Sequence, residues 1–138
     1  MRELIFVYGT LRPAFNGKMS KWLKQHADFI SAATFNGKLY MIDGYPGVLP
    51  SDRPEDLVYG DHFRMNEPDY VLRKLDHYEG CGDSFNQPTE YTRARKTILR
   101  DDGQSSTAWI YLYTLPVKSL MEISSGDFLD FQSNSEFF

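Results

Sequence analysis

The sequence predicts an α+β domain, because strand patterns outnumber helix patterns and two pairs of strand patterns flank hairpin signals. Its 138 residues suit a single domain, residues 1–138. The chain is 41% hydrophobic and 25% charged, which is typical of a globular protein that buries one core. The tail from about residue 131 is expected to be loosely held.

The first third is predicted to hold a strand, a helix and a hairpin. The short apolar run 4–8 is typical of a buried strand, and it stops at Gly9. Helical spacing follows in the apolar residues Met19, Trp22, Leu23 and His26. Two extended runs, 29–35 and 38–42, flank Asn36-Gly37, a dipeptide that accepts the positive φ angles of a tight hairpin turn.

The middle of the chain is predicted to form a strand and then a helix. Turn-forming residues at 44–47 and a charged loop precede a strand over 57–65. Asn66 is expected to cap a helix that has Pro68 in its first turn and ends near Tyr78.

The last third is predicted to hold a second hairpin. A polar loop over 80–89 leads into strands at 91–99 and 106–113, which flank the turn signal Asp101-Asp102-Gly103. A short helix is expected after Pro116.

Composition argues against several classes of partner. The net charge is −4 and no stretch gathers Lys and Arg, so nucleic acid is not expected to bind. Cys81 is the only cysteine, so no intrachain disulfide can form, which favours a reducing compartment. The early apolar run is too short for a signal peptide or a membrane helix. We therefore expect a soluble cytoplasmic protein with no membrane partner, and its oligomeric state is left open.

Glu79 is an unusual carboxylate in the predicted helix. It continues the apolar stripe of Val71, Leu72, Leu75 and Tyr78, so helical spacing directs it inward. Burial and the negative end of the helix dipole would both raise its pKa, which suits a residue that transfers protons near neutral pH. The alternative is that the helix ends one residue earlier and Glu79 points into solvent.

Gly9 lies where the first strand leaves the sheet, within the segment 7–12. A glycine there lets a ligand approach the backbone, whose successive N–H groups can bind a carboxylate or stabilise a developing oxyanion. The alternative is that Gly9 only permits a turn with positive φ.

Other reactive groups fit less well. Cys81 near His77 lacks a third, orienting group, which favours an inert thiol over a nucleophile. The sequence has three histidines, but their spacing is not that of metal ligands, so no metal site is predicted. They are His26, His62 and His77.

Four short motifs, in this order, resemble the γ-glutamylcyclotransferase and AIG2-like family. They are Val7-Tyr8-Gly9-Thr10-Leu11-Arg12, Tyr45-Pro46-Gly47, Leu75-Asp76-His77-Tyr78-Glu79-Gly80 and Glu90-Tyr91-Thr92-Arg93. Tyr111 and Tyr113 add to the resemblance, and residues 125–128 show a weaker similarity to the family. Together these features reach from residue 5 to about residue 113.

The resemblance implies a small mixed, barrel-like β-sheet with flanking helices and a cavity at one end. It implies a substrate-binding role for Tyr8, Gly9, Thr10 and Leu11, and a catalytic role for Glu79. The resemblance also implies that three tyrosines line the cavity: Tyr45, Tyr91 and Tyr111. The segment between Gly80 and Tyr91 is longer than in compact family members, so it could form a lid or narrow the entrance.

The implied activity is the conversion of a γ-glutamyl amine or γ-glutamyl amino acid to 5-oxoproline and a free amine. The small-molecule substrate's own α-amine would attack its γ-carbonyl, and Glu79 would act as base and then as acid, without a metal or organic cofactor. Three leaving groups stay open: an amino acid, the ε-amine of lysine, and a γ-glutamyl-protected biosynthetic intermediate. The rival interpretations are a module that binds a γ-glutamyl-like molecule without turnover, and a structural protein that kept the fold.

Overall fold

The computed structural model describes residues 3–81 and 89–135, which contain seven strands, three α-helices and one 3-10 helix. In chain order the elements are β1 (Leu4–Val7), a 3-10 helix (Pro13–Phe15), α1 (Lys18–His26), β2 (Ala27–Met41), β3 (Pro46–Pro50), β4 (Leu57–Met65), α2 (Pro68–Glu79), β5 (Tyr91–Arg100), β6 (Ser105–Tyr113), β7 (Met121–Glu122) and α3 (Phe128–Ser135).

Five of the strands close into a barrel-like sheet in the order β2-β4-β1-β6-β5. The barrel closes where β5 pairs back onto β2, with Ala33 opposite Arg100 and Thr34 opposite Leu99. β1 pairs parallel to β6 and antiparallel to β4, so the sheet is mixed. The predicted α+β class and the barrel-like sheet are confirmed.

The core has two parts because both faces of β1 are buried. Phe6 packs in one cluster with residues of the other barrel strands, such as Ile110. Ile5 and Val7, which alternate with Phe6, join a second cluster that includes Leu75 of α2. α2 therefore covers the sheet next to β1, and its C-terminal end lies near the point where β1 ends.

The predicted hairpin at Asn36-Gly37 is wrong, because one continuous strand, β2, runs through this dipeptide. β2 pairs with β4 up to Asn36 and with β3 from Gly37 onward. A Cβ on Gly37 would lie 2.7 Å from the carbonyl oxygen of Leu49. The glycine is needed for close approach of the neighbouring strand and not for a turn.

Several smaller predictions are also corrected. Residues after Pro116 form a turn and the short strand β7 instead of a helix. The N-cap of α2 is Glu67, without a side-chain capping bond, and not Asn66. The strand β3 was missed, because its glycine and prolines are typical of a turn.

The predicted loose tail overlaps α3, which extends to residue 135, and Phe131 packs against the core. Most of the predicted loop over 80–89, and with it the suggested lid, lies outside the described residues. No helix in the described part of the chain is long and apolar enough to span a membrane.

His62 on β4 makes the stability of the fold depend on pH. Its side chain is fully buried, its Nδ1 lies 3.3 Å from the hydroxyl of Ser31, and its Nε2 has no partner among the described residues. Burial, and then the charge of Arg100, lower the pKa of His62. The unfolded state therefore binds the proton more readily than the folded state.

We expect the contribution of His62 to the free energy of unfolding to fall as the pH drops below about 6.5, the ordinary histidine pKa, toward the lowered pKa of the folded state. Urea unfolding of the native protein and of His62→Phe between pH 8 and pH 5 isolates this contribution, because the effects of other titrating groups are common to both proteins. The His62→Phe variant should lose less stability on acidification than the native protein. Equal pH dependence in the two proteins would contradict the assignment.

Candidate functional site

A cavity of about 480 Å³ opens at the end of the barrel where β1 stops. Its wall is formed by Phe6, Val7, Tyr8, Gly9, Thr10, Leu11, Gly44, Tyr45, Pro46, Tyr78, Glu79, Gly80, Glu90, Tyr91 and Tyr111. All eight residues that the sequence predicts for the site belong to this wall, although they come from five separate segments of the chain. The structure therefore brings the predicted set together in one place.

The turn after β1, residues 9–11, forms part of the cavity wall. The amides of Gly9, Thr10 and Leu11 reach no backbone acceptor within residues 3–81 and 89–135. Unpaired N–H groups of this kind are suited to a carboxylate or an oxyanion.

Gly9 does not have a positive φ angle, so it is not needed for a left-handed turn. It is needed for packing, because a Cβ at this position would lie 2.7 Å from Cγ and 2.9 Å from Cδ of Pro46. The glycine therefore lets the turn rest directly on β3, which fixes the position of the three amides.

Glu79 is the last residue of α2, and Gly80 ends the helix with a left-handed φ of 65°. The helix buries Val71, Leu72 and Leu75, and Glu79 follows them into the cavity wall. The alternative of an earlier helix end with Glu79 in solvent is therefore wrong. Tyr78 was expected on the buried stripe, but it is 43% exposed at the cavity rim.

The carboxyl group of Glu79 has an unusual electrostatic environment. Burial, and then the negative charge of Glu90, raise its pKa from 4.5 to about 7. No cation or hydrogen-bond donor among the described residues offsets these effects. Near neutral pH, Glu79 is therefore divided between its protonated and charged forms.

The helix end and the turn are linked across the cavity rim. The hydroxyl groups of Thr10 and Tyr78 lie 2.9 Å apart and form a hydrogen bond. Since Tyr78 immediately precedes Glu79, this contact holds the acidic end of α2 next to the free amides.

Three tyrosines of the wall are fixed by their hydroxyl groups. Tyr8 donates to the carbonyl of Tyr111 at 2.6 Å, and Tyr91 donates to the carbonyl of Pro46 at 2.6 Å. Burial raises the pKa of all three phenols, so they stay neutral donors. They give the cavity a rigid, largely aromatic surface.

Asp76 and Arg93 brace Tyr111 from behind the wall. Arg93 donates to both oxygens of Asp76, at 2.8 and 3.1 Å, and the hydroxyl of Tyr111 donates to Oδ1 of Asp76 at 2.7 Å. The network joins α2 to β5 and β6. Asp76 and Arg93 both belong to the motifs quoted above, but their spacing in sequence does not predict that they form an ion pair.

Glu90 is a cavity residue that sequence reasoning did not select. Its carboxylate accepts one bifurcated hydrogen bond from the hydroxyl of Tyr45, whose oxygen lies 2.8 Å from Oε1 and 3.0 Å from Oε2. The residue begins the motif at 90–93, at the start of β5. Its position next to a polar stretch of sequence is typical of a charged side chain in solvent, so the sequence alone does not single it out.

Cys81 is poorly suited to nucleophilic catalysis. The residue is buried, and burial followed by the charge of Asp76 raises the pKa of its thiol to about 12. The thiolate is therefore scarce at neutral pH. Within the described residues, no group of three or more His, Cys, Asp or Glu is arranged to hold a metal.

Because its pKa is raised, Glu79 should lower the free energy of unfolding at neutral and alkaline pH. Below about pH 4.5 the group is protonated in both states, and as the pH rises through 7 the folded state must ionise a poorly solvated carboxyl group. Glu79→Gln should therefore be more stable than the native protein at pH 8, by about 1–3 kcal/mol.

Urea unfolding at pH 8 and pH 5 measures this difference, which should shrink at the lower pH. The exposed residue Glu122, on β7, supplies the matched control Glu122→Gln, which should change stability little at either pH. Destabilisation by Glu79→Gln at pH 8 would contradict the assigned environment.

Fold and cavity together define a small α+β barrel protein with a tyrosine-rich, acidic cavity at one end. The family model described as gamma-glutamyl cyclotransferase, AIG2-like matches residues 5–130. The chain belongs to this family, and the resemblance inferred from the four motifs is confirmed.

Relatives match over most of the chain. The gamma-glutamylcyclotransferase family protein YtfP of Escherichia coli strain K12 is 32% identical over 126 residues, 91% of this chain and 96% of YtfP. Among solved structures, YkqA from Bacillus subtilis has a TM-score of 0.73 and 29% identity, covering 100% of this chain. The chain spans 44% of the length of YkqA. An AIG2-like protein from Mus musculus has a TM-score of 0.64 and 23% identity over 82% of this chain and 78% of its own, a likeness of fold.

Proposed function

We propose that the protein is a cyclotransferase that converts a γ-glutamyl amine or γ-glutamyl amino acid into 5-oxoproline and the free amine. The observation that carries the proposal is a carboxyl group with a pKa of about 7, Glu79, in the same cavity as the free amides of residues 9–11. Membership of the family supports the same reaction.

The reaction needs no second reactant. The substrate's α-nitrogen forms a bond to its own γ-carbonyl carbon, and the bond from that carbon to the leaving nitrogen breaks. One proton leaves the attacking nitrogen and one reaches the departing nitrogen, so the products together have the atoms of the substrate. Because the attack is intramolecular, holding the substrate folded contributes on the order of 7–11 kcal/mol to lowering the barrier.

Glu79 is the residue proposed to move the proton. A group with a pKa of about 7 has a useful fraction in each form near neutral pH. It can therefore accept the proton of the attacking amine and then return it to the leaving amine. An ordinary exposed glutamate would be almost fully ionised and would be a poor acid at this pH.

The turn at 9–11 is proposed to hold the negative parts of the substrate. Its three free amides can bind the glutamyl α-carboxylate and stabilise the oxyanion that develops on the γ-carbonyl. The neutral tyrosines, Tyr8, Tyr91 and Tyr111, would pack around the methylene groups. No step in this scheme uses a metal or an organic cofactor.

The test is formation of 5-oxoproline, followed by mass spectrometry, when the purified native protein is incubated with a panel of γ-glutamyl compounds. The panel should include γ-glutamyl amino acids, γ-glutamyl-ε-lysine and simple γ-glutamyl alkylamines. We expect turnover of at least one compound. Saturable binding of the panel by calorimetry with no product at any enzyme concentration would instead favour a non-catalytic binding module.

A further inference from the structure

Arg12 ends the motif that contains the turn at 9–11, and the scheme proposed above gives it no task. Its backbone N–H donates to the carbonyl of Gly9 at 3.1 Å, which closes the turn. Its side chain is 14% exposed and does not belong to the wall of the cavity. Arg12 is therefore part of the turn but does not line the space that the substrate would fill.

Arg12, Asp61 and Asp127 form an ionic cluster, the Arg12 cluster, in which one guanidinium joins two carboxylates. Nε of Arg12 donates to Oδ2 of Asp61, on β4, at 2.9 Å, and Nη1 donates to Oδ1 of Asp127, just before α3, at 3.2 Å. The side chains of Asp61 and Asp127 are 13% and 32% exposed. Solvent and salt therefore screen these contacts less than they screen a fully exposed pair.

The segment 125–127, which carries one of these carboxylates, is itself fixed. The carbonyl of Gly126 accepts from the N–H of Tyr59, on β4, at 2.8 Å. The Oδ1 atom of Asp127 that meets the guanidinium also accepts from the N–H of Asp130, in the first turn of α3, at 3.1 Å. The turn after β1 is thus tied to a part of the chain more than a hundred residues away, the part in which the weaker similarity to the family lies.

The turn is held at both of its ends. Gly9 lies against Pro46 at the start, and Arg12 is tied to β4 and to the segment before α3 at the end. Stability alone does not account for an arginine here, because apolar residues in place of a part-buried ion cluster often leave stability unchanged or raise it. A guanidinium does fix direction, because its N–H groups are held in one plane and those of a lysine ammonium are not.

We propose that Arg12 is a positioning residue that, with Asp61 and Asp127, holds the amides of residues 9–11 in the geometry that receives the substrate's α-carboxylate and the developing oxyanion. The segment before α3 then contributes to catalysis although it lies outside the cavity wall. The inference rests on the proposed cyclotransferase function and gives a role in it to residues that do not touch the substrate.

NMR order parameters of the backbone amides at 9–11 measure the positioning directly and require no turnover. In the native protein we expect about 0.85, the value of rigid backbone. In Arg12→Met, which keeps a long unbranched side chain without the guanidinium, the values should fall toward about 0.6, and Arg12→Lys should lie between. The matched control is Arg53→Met, which should keep the native values, because Arg53 lies in a surface ion pair and is 65% exposed.

Two substrates with the same leaving amine test whether this anchoring serves the α-carboxylate. One is a γ-glutamyl amide, and the other has hydrogen in place of the α-carboxylate and would give 2-pyrrolidinone. We expect the native protein to prefer the glutamyl substrate by about 100-fold in kcat/KM. Arg12→Met should reduce this preference about 10-fold, and Asp127→Asn by less, because displaced amides hold the carboxylate less well. A purely structural loss would lower the turnover of both substrates equally and leave their ratio unchanged.

The outcomes separate this inference from the function on which it rests. No turnover of either substrate by the native protein would overturn the proposed function, whereas loss of order at 9–11 in Arg12→Met would still support the anchoring of the turn. Native order parameters in a folded Arg12→Met variant would overturn the positioning role. An unchanged substrate ratio in both Arg12→Met and Asp127→Asn would overturn it as well and leave the cyclotransferase intact. If Arg12→Met does not fold, Asp127→Asn serves for both measurements, because asparagine keeps the oxygen that caps α3 and removes only the charge.

Discussion

Glu79→Gln should lower kcat by about 10²- to 10⁴-fold, which is the usual contribution of a positioned acid or base. Glutamine keeps the shape of the side chain but cannot exchange a proton. The substrate contacts at the 9–11 amides would remain, so KM should change much less than kcat. The measurement is 5-oxoproline release under steady-state conditions at pH 7.

The pH profile gives an independent check on the same residue. With a pKa of about 7 in the free protein, the rate of the native enzyme should bend near neutral pH as Glu79 ionises. Residual turnover by Glu79→Gln should lack this bend. Wild-type turnover in a folded Glu79→Gln variant would assign the proton transfer to another group of the cavity, with Glu90 as the next candidate to test.

Local patterns were enough to predict much of this molecule. The strand β4 and the helices α1 and α2 were predicted within one or two residues, because each has a clear hydrophobic period and nearby turn or cap residues. The inward direction of Glu79 also followed from helical spacing. The rest of the predicted site came from short motifs whose members are far apart in sequence, so the family resemblance was needed to collect them.

The errors arose where tertiary contacts override local preference. Asn36-Gly37 is a strong hairpin signal, but here the glycine serves the close approach of β3 while the strand continues. Pro46 and Gly47 are residue types typical of a turn, although they begin β3. In both places the deciding partner is another strand, and a single sequence does not show which strand that is.

Glu90 was overlooked for a related reason. What distinguishes it from other surface acids is the hydroxyl of Tyr45, which lies 45 residues away in sequence. The same is true of the pair formed by Asp76 and Arg93 behind Tyr111. Such contacts form only in the folded barrel, so sequence spacing does not predict them.

Gly9→Ala should lower kcat/KM by about 100-fold, because the turn that carries the free amides could no longer rest on β3. The new Cβ would lie 2.7 Å from Cγ of Pro46, well inside van der Waals contact. A proline ring in a paired strand has little freedom to move, so the turn itself must shift. Displacements of about 1 Å in a positioning element can cost a factor of this size.

A second substitution tests this cause directly. Pro46→Ala removes the two ring atoms that the new methyl group would meet, so the double variant Gly9→Ala/Pro46→Ala should recover much of the turnover lost in Gly9→Ala. Gly103→Ala, in the turn between β5 and β6, controls for a general loss of stability from replacing a glycine. If the double variant is no better than Gly9→Ala, the contact with Pro46 does not set the position of the amides. Unchanged turnover in Gly9→Ala would instead remove the turn at 9–11 from the proposed mechanism, since amides displaced by the methyl group could not hold an oxyanion as before.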